Sequence, residues 1–198
     1  AGGTGGYFGG RLAQSGADVT FLVRPARAQS LAREGLRIRS PLGDADLAVA
    51  CTTADHLPAL AAANPFDLVL LACMAYDLDS AIAAVAPAVG PATTVLPILN
   101  GLLHYEALDA RFGRDRVLGG LCFISASKGA DGEIVHHARP ASITFGERDG
   151  GGSGRVAAFA ALCAQAGIDC RAVDDIACEQ WIKFSFLAAL AAGTCLVR

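Results

Sequence analysis

The chain begins with a glycine-rich run of candidate phosphate-binding residues: Gly2, Gly3, Gly5 and Gly6. Glycine lets a backbone turn tightly and come close to a ligand. We predict that the run leads into a helix, which is established by Arg11 and ends at Gly16. The free N–H groups and the positive dipole end of such a helix can hold a phosphate. The alternative is a plain glycine-rich turn.

The second candidate group is a pair of arginines that follows a predicted strand over residues 19–23. A βαβ unit that prefers NAD places Asp or Glu at this point, where it accepts a hydrogen bond from the ribose 2′-OH. Arg24 stands there instead, and its planar guanidinium suits a 2′-phosphate. The pattern therefore predicts NADP(H) as the cofactor. Arg27 is the weaker contact, and a solvated surface position is equally open for it.

Lysine is scarce, because Lys128 and Lys183 are the only lysines among 16 lysines and arginines. Lys128 lies beside a turn, where we expect it to be solvated. Lys183 lies in an apolar helix, four residues after Glu179, which is the spacing of an ion pair. One interpretation is a structural lysine that reaches the surface with Glu179 as its partner. The other is an ammonium that donates a proton to a substrate oxygen.

Histidines and cysteines show no spacing typical of a metal site, so we predict none. The histidines are expected at the surface: His56, His104, His136 and His137. Seven cysteines are scattered among apolar residues, which is typical of reduced thiols in a cytoplasm. Cys73 and Cys122 are expected near the cofactor but inert, because the sequence offers no base that would activate them.

Strands that alternate with helices must position these residues. The apolar runs 67–73 and 93–99 are typical of buried parallel strands. Met74 and Asn100 directly follow these runs, and ligands of such sheets bind outside the carboxyl ends of the strands. Other extended segments are expected at 36–39, paired antiparallel with 47–51, and at 117–127, 133–137, 143–146 and 169–173. The order predicts an α/β fold with a mostly parallel sheet and helices on both faces.

The pattern changes at residue 174 to a long helix that is apolar on nearly every side. We therefore predict two domains: an NADP-binding Rossmann-type domain over 1–173, with its first strand missing, and the start of an all-helical domain over 174–198. A helix that is apolar all round belongs in a core or an interface. We expect the gene product to extend beyond both ends of this chain, and the chain alone to expose apolar surface.

Composition excludes several classes of partner. A net charge of −3 and a pI near 5.8 give no basis for binding nucleic acid. The apolar stretches are too short or too interrupted by charge to cross a bilayer. With 53% hydrophobic residues, the chain can bury a sizeable core. We expect a cytoplasmic protein that binds small molecules.

Six segments, taken in order, resemble the ketopantoate reductase family: AGGTGGYFGGRLA, VTFLVR, FDLVLLACMAYDL, LPILNGL, DGEIVHH and EQWIKF. This family reduces 2-dehydropantoate with NADPH on the way to pantothenate and coenzyme A. The resemblance implies a Rossmann domain followed by a helical domain, with the active site in the cleft between them. It also implies a small 2-oxo acid as the substrate and leaves a homodimer open.

Roles for individual residues follow from the resemblance. Gly2 and Gly5 fall on two glycines of the cofactor fingerprint, and Arg24 falls on the 2′-phosphate arginine. Asn100 falls on the asparagine near the nicotinamide. Lys183 falls on the catalytic lysine, which favours the proton-donor interpretation of this residue.

Three residues depart from the family pattern. Met74 stands where the family usually has a lysine close to the cofactor, so Met74 is a candidate cofactor contact of a different kind. Leu187 and Ala191 replace the usual substrate asparagines, which leaves the exact substrate open. The alternatives are a non-catalytic NADP-binding or cofactor-sensing relative, and a hydroxy-acid dehydrogenase with a different substrate.

Overall fold

The structure, a computed structural model, describes residues 2–196. Its helices are Gly3–Gln14 (α1), Pro25–Glu34 (α2), Leu57–Ala63 (α3), Leu78–Val85 (α4), His104–Phe112 (α5), Gly154–Gln165 (α6) and Ile176–Leu196 (α7). Its strands are Thr20–Leu22 (β1), Leu36–Arg39 (β2), Ala45–Leu47 (β3), Ala50–Thr52 (β4), Leu68–Leu71 (β5), Thr94–Pro97 (β6), Gly119–Lys128 (β7), Ile134–Gly146 (β8) and Asp169–Ala172 (β9).

Parallel pairing dominates the strands. The pairs β1–β4, β5–β6, β2–β8 and β8–β9 are parallel, whereas β2–β3 and β7–β8 are antiparallel. Residues 117 and 95 add a parallel bridge that links the start of β7 to β6. The predicted α/β fold with mostly parallel strands and flanking helices is confirmed.

Two apolar clusters hold the elements together. The larger one packs α1 and α6 against β1, β2 and β8, and Phe8, Ile38 and Phe145 are completely buried in it. The smaller one packs α4 and α5 against β5 and β6, around Val95 and Leu108. Within residues 2–196, no helix is both long enough and apolar enough to cross a membrane.

Helix α1 begins eight residues earlier than we predicted, so the glycines lie inside the helix rather than before it. Close packing explains this, although glycine is a poor helix former. A Cβ atom on Gly10 would lie 2.6 Å from Cδ1 of Ile38, and one on Gly9 would lie 2.8 Å from the ring of Phe21. The glycines therefore let α1 lie directly on the sheet, and burial outweighs propensity.

Strand β8 is one continuous strand of 13 residues, where we predicted two separate strands at 133–137 and 143–146. Of the intervening residues, Ala141 and Ser142 pair with Ile124 and Phe123 of β7 and so extend the second predicted strand toward the first. The ladder shifts register between Ile124 and Ala126. Such an irregularity lets a long hairpin bend without breaking.

The predicted strand over 47–51 is divided in two. Its first part belongs to β3, which pairs antiparallel with β2 as predicted. Its second part belongs to β4, which pairs parallel with β1. The stretch from β3 to β4 thus connects the antiparallel β2–β3 pair to the parallel β1–β4 pair.

Helix α7 exposes most of its apolar side chains, as the sequence pattern predicts. Only Ile176 and Lys183 of its described residues are fully buried. Large exposed side chains follow one another along the helix: Trp181, Ile182, Phe184, Phe186 and Leu190. The last two residues of the predicted segment, 197 and 198, lie outside the described residues. The division of the chain at residue 174 stays a prediction.

Candidate active site

Met74 and Asn100 lie beyond the ends of two neighbouring strands. Strands β5 and β6 run parallel, and Leu71 is paired with Pro97 at their carboxyl ends. Met74 and Asn100 each lie three residues beyond this pair, and both are exposed. Parallel strands thus bring the two candidate residues to the same edge of the sheet.

Arg24 lies at the carboxyl end of β1 and caps the start of α2. Its side chain is 87% exposed, and its guanidinium lies 3.9 Å from a carboxylate oxygen of Asp77. Asp77 belongs to the short 3₁₀ turn that directly follows Met74. The contact therefore joins the loop after β1 to the loop after β5, although an ion pair this exposed leaves the arginine free to bind another anion.

The start of α1 lies between the loop after β5 and strand β7. Gly2 is its N-cap residue, with an extended backbone and open space around the Cα. A Cβ atom on Gly3 would lie 2.4 Å from the carbonyl oxygen of Ala126, and one on Gly5 would lie 3.2 Å from Cβ of Ala72. Only small residues fit here, and the first N–H groups of the helix have no partner within the helix.

A basic cleft of about 690 Å³ extends from Arg24 between α2 and the β7–β8 turn. Five cationic and two carboxylate side chains line this cleft, namely Arg24, Arg27, Arg33, Arg37, Lys128, Glu34 and Asp131. Lys128 is exposed, as we predicted. The excess of positive charge favours an anionic group in the cleft.

Arg27 is not the solvated surface arginine that we held open. It is half-buried, and its Nε and Nη2 atoms are shielded from solvent without a hydrogen-bond partner in the described part of the chain. Burial lowers the pKa of this guanidinium, and the neighbouring charge of Arg37 adds to the effect, although Glu34 opposes it. A nearby anion would therefore stabilise the charged form of this guanidinium.

Lys183 is buried, with only 6% of its surface exposed. Its Nζ atom donates a hydrogen bond to the carbonyl oxygen of Cys122 on β7 at 2.6 Å, and it lies 5.2 Å from the centre of the Phe123 ring. Burial lowers the pKa of the ammonium below its ordinary value. A lysine placed in this way holds its proton less tightly than a solvated lysine does.

Glu179 does not pair with Lys183, so the predicted ion pair between them is wrong. Its carboxylate accepts a hydrogen bond from Arg171 at 2.6 Å instead. Arg171 lies on β9, beside the start of α7, and is closer to solvent. The structural interpretation, in which Lys183 reaches the surface with Glu179, is therefore also wrong.

Strand β7 connects the candidate residues. Cys122 accepts the hydrogen bond from Lys183 through its carbonyl oxygen, and its Sγ donates to the carbonyl oxygen of Ile98 at 3.5 Å. Ile98 lies two residues before Asn100. Ala126, farther along the same strand, touches Gly3. Lys183, the Asn100 loop and the start of α1 thus lie along one strand.

Neither candidate thiol is activated. Burial raises the pKa of Cys122, although the charge of Lys183 opposes the shift, and burial likewise raises the pKa of Cys73. Such thiols stay protonated and unreactive near neutral pH. Among residues 2–196, no three His, Cys, Asp or Glu side chains form a group that could hold a metal ion.

Two histidines are buried, contrary to our prediction. His136 is fixed by Ser40 at 2.8 Å and by the carbonyl oxygen of Pro140 at 3.2 Å, and its ring packs at an inclined angle against that of Tyr7. His104 is 5% exposed, and its Nε2 finds no hydrogen-bond partner within residues 2–196. Burial, aided by the charge of Arg148, lowers the pKa of His104 to about 4. His56 and His137 are exposed, as predicted.

The structure contains a polar cluster next to Lys183 that the sequence pattern did not predict. Tyr105 on α5 and Gln180 on α7 meet there, and both contact Gly120 of β7. The spacing of Gln180 and Lys183, three residues apart on one helical face, was the available signal. The partner on α5 could not be inferred, because nothing local links residues 75 positions apart.

The strand order, the glycine-rich helix start and the loops at the carboxyl ends of the strands define a dinucleotide-binding α/β fold. Residues 1–150 match the family model described as ketopantoate reductase PanE/ApbA. The chain belongs to the ketopantoate reductase family, and the predicted resemblance is confirmed.

Individual relatives agree with this assignment. The chain is 39% identical over 202 residues to the uncharacterized oxidoreductase YkpB of Bacillus subtilis, and the alignment covers 100% of this chain and 63% of the relative. It is 28% identical over 223 residues to a 2-dehydropantoate 2-reductase of Mesorhizobium japonicum, with coverage of 98% and 66%. The chain thus spans just under two thirds of the length of these curated relatives.

A solved structure matches the fold as well. The crystal structure of 2-dehydropantoate 2-reductase from Geobacter metallireducens superposes with a TM-score of 0.82 at 34% identity. The match covers 91% of this chain and 58% of that protein.

Proposed function

We propose that this chain provides the NADP(H)-binding part and the catalytic lysine of a reductase for a small 2-oxo acid, with 2-dehydropantoate as the substrate. The observation that carries the proposal is Lys183. It is a buried lysine on α7 without a carboxylate partner among the described residues, and it bonds to β7, the strand that also contacts the Asn100 loop and the start of α1.

The residues present fit a phosphorylated dinucleotide. Gly2, Gly3 and Gly5 would hold the pyrophosphate through the N–H groups at the start of α1. Gly6, whose N–H already bonds to the carbonyl oxygen of Gly2, would only keep the backbone accessible. Arg24 would hold the 2′-phosphate, and the excess positive charge of the adjacent basic cleft supports this preference.

Met74 and Asn100 would provide further contacts to the bound cofactor. Met74 is 60% exposed and would offer apolar contact where a lysine would offer charge. Asn100 has an exposed amide that can both donate and accept hydrogen bonds, so it would orient the carboxamide of the nicotinamide or the substrate.

Lys183 would act as the general acid. Bound NADPH would supply the hydride, and negative charge would build on the carbonyl oxygen of the substrate. The ammonium uses one of its three N–H groups for Cys122, so two remain to stabilise this oxygen and to protonate it. The lowered pKa brings the proton affinity of Lys183 closer to that of a group that works at neutral pH.

We also propose a cytoplasmic location, and the state of the cysteines supports it. All seven cysteines are free thiols, including the exposed Cys178 and Cys195. Exposed free thiols persist in a reducing compartment.

The proposal is tested by following the absorbance of NADPH at 340 nm in the protein as its gene encodes it. We expect oxidation that depends on 2-dehydropantoate, and slower oxidation with smaller 2-oxo acids such as pyruvate. NADPH that binds tightly but is oxidised by none of these acids would refute the reductase and indicate a cofactor-binding module. Turnover restricted to a different 2-oxo acid would refute the substrate only.

A further inference from the structure

Helix α7 contacts the rest of the chain along one narrow stripe. Ile176 packs against Gly119, Gln180 contacts Gly120, and Lys183 bonds to Cys122. These positions follow the spacing i, i+4 and i+7, so they share one face of the helix. The next side chains on either side of Lys183 are exposed. The depth and rotation of Lys183 therefore depend on these contacts and on the exposed ion pair of Glu179 with Arg171 of β9.

Gln180 makes the central polar contact of this stripe, and Tyr105 is its partner. The Nε2 atom of Gln180 donates to the hydroxyl oxygen of Tyr105 and to the carbonyl oxygen of Gly120 at 3.3 Å. The same hydroxyl oxygen accepts a hydrogen bond from the N–H of Gly120 at 3.0 Å. The tyrosine is buried, and burial raises the pKa of its hydroxyl, so the group stays neutral.

Tyr105 is itself held firmly. The guanidinium of Arg148 lies over its ring at 4.5 Å, and the two terminal nitrogens of that guanidinium donate to the carboxylate of Asp109. Two charge-assisted bonds fix the position of an arginine side chain well. The tyrosine hydroxyl is therefore a fixed point on α5 rather than a mobile surface group.

Tyr105 also follows the Asn100 loop closely. Its backbone N–H bonds to the carbonyl oxygen of Leu102 at 3.2 Å, two residues after Asn100. Tyr105 thus links the loop that carries Asn100, through its backbone N–H, to the helix that carries Lys183, through its hydroxyl group. A hydrogen-bonded link of this kind can set the distance between two groups that lie on separate elements.

We propose that Tyr105, through Gln180, is the positioning residue that sets Lys183 against β7 and in register with Asn100. This inference rests on the proposed function of Lys183. Tyr105 does not touch the reacting atoms, and its effect is transmitted through the rotation and depth of α7.

The test follows Lys128 and Lys183 by NMR of lysine labelled with ¹³C at Cε in the protein as its gene encodes it. Each signal is assigned by its loss in Lys128→Arg or Lys183→Met. In Tyr105→Phe, which keeps the ring and removes the hydroxyl, we expect the pKa of Lys183 to rise toward the ordinary value of a solvated lysine, because the helix shifts outward. We expect kcat to fall about tenfold or more while the NADPH affinity is unchanged.

Two further variants make the result decisive. Gln180→Met keeps the side-chain length and removes the donor, so it should move the pKa of Lys183 in the same direction, even if Tyr105→Phe folds poorly. Tyr7→Phe removes the hydroxyl of another buried tyrosine and should leave both lysine signals unchanged.

An unchanged pKa of Lys183 in folded Tyr105→Phe and Gln180→Met would overturn the proposal. Failure of the proposed function is distinguishable. It would appear as full turnover in Lys183→Met, whereas the NMR titration needs no turnover and would still report the position of Lys183.

Discussion

Acid should destabilise this protein through His104. The side chain is buried, with Nε2 unbonded among residues 2–196, and its pKa is lowered from 6.5 to about 4. The unfolded chain therefore binds a proton below pH 6.5 that the folded chain binds only below about pH 4. Since each pKa unit corresponds to about 1.4 kcal/mol, the folded state should lose roughly 3 kcal/mol between these two pH values.

His104→Leu removes this titration and fills the site with an apolar side chain of similar size. Urea unfolding at pH 8, 6, 5 and 4 measures the free energy of unfolding of both proteins. The curves should lie close together at pH 8, and the variant should lose about 3 kcal/mol less than the wild type by pH 4. His56→Leu, at an exposed histidine, is the matched control and should follow the wild type. Parallel curves for the wild type and His104→Leu would refute the assigned environment.

Two further predictions concern the cofactor and the packing of α1. Arg24→Ala should weaken NADPH binding by about one to two decades, since a lost charge-assisted contact costs about 1.5–3 kcal/mol, and it should leave NADH binding unchanged. Fluorescence titration of both cofactors measures these affinities, and equal wild-type affinities for NADPH and NADH would contradict the prediction. Gly10→Ala should lower the free energy of unfolding by about 1–3 kcal/mol because the added methyl group overlaps Ile38. Gly152→Ala, in open space, should leave the stability unchanged; thermal melts compare the two variants, and equal stability would contradict the packing argument.

The order of the elements and most of the candidate site could be predicted from the sequence. Apolar runs ending at Met74 and Asn100 identified the strands, because buried parallel strands are apolar on both faces. Arg24 could be identified because it stands at a position where the chemistry of the side chain selects the cofactor. These predictions depend on local patterns; the α/β fold is confirmed, whereas the roles of Arg24, Met74 and Asn100 stay predictions.

Predictions failed where distant contacts decide the outcome. The start of α1 was misplaced because glycine propensity is overridden by packing against Phe21 and Ile38. Glu179 was paired with the lysine one turn away, whereas its partner, Arg171, comes from a neighbouring strand. His104 was expected at the surface, since a polar residue after a loop usually is exposed, and only tertiary packing buries it.

The central claim is that Lys183 is the proton donor of a reductase, and one variant tests it most directly. Lys183→Met keeps the length of the side chain and removes the ammonium. We expect kcat for 2-dehydropantoate to fall by about two to four decades, while the dissociation constant for NADPH stays within a factor of two or so, because the lysine acts on the substrate oxygen. Ser185→Ala, at an exposed position of the same helix, should retain wild-type kcat. A Lys183→Met protein that turns over 2-dehydropantoate within a few-fold of the wild type would contradict the account.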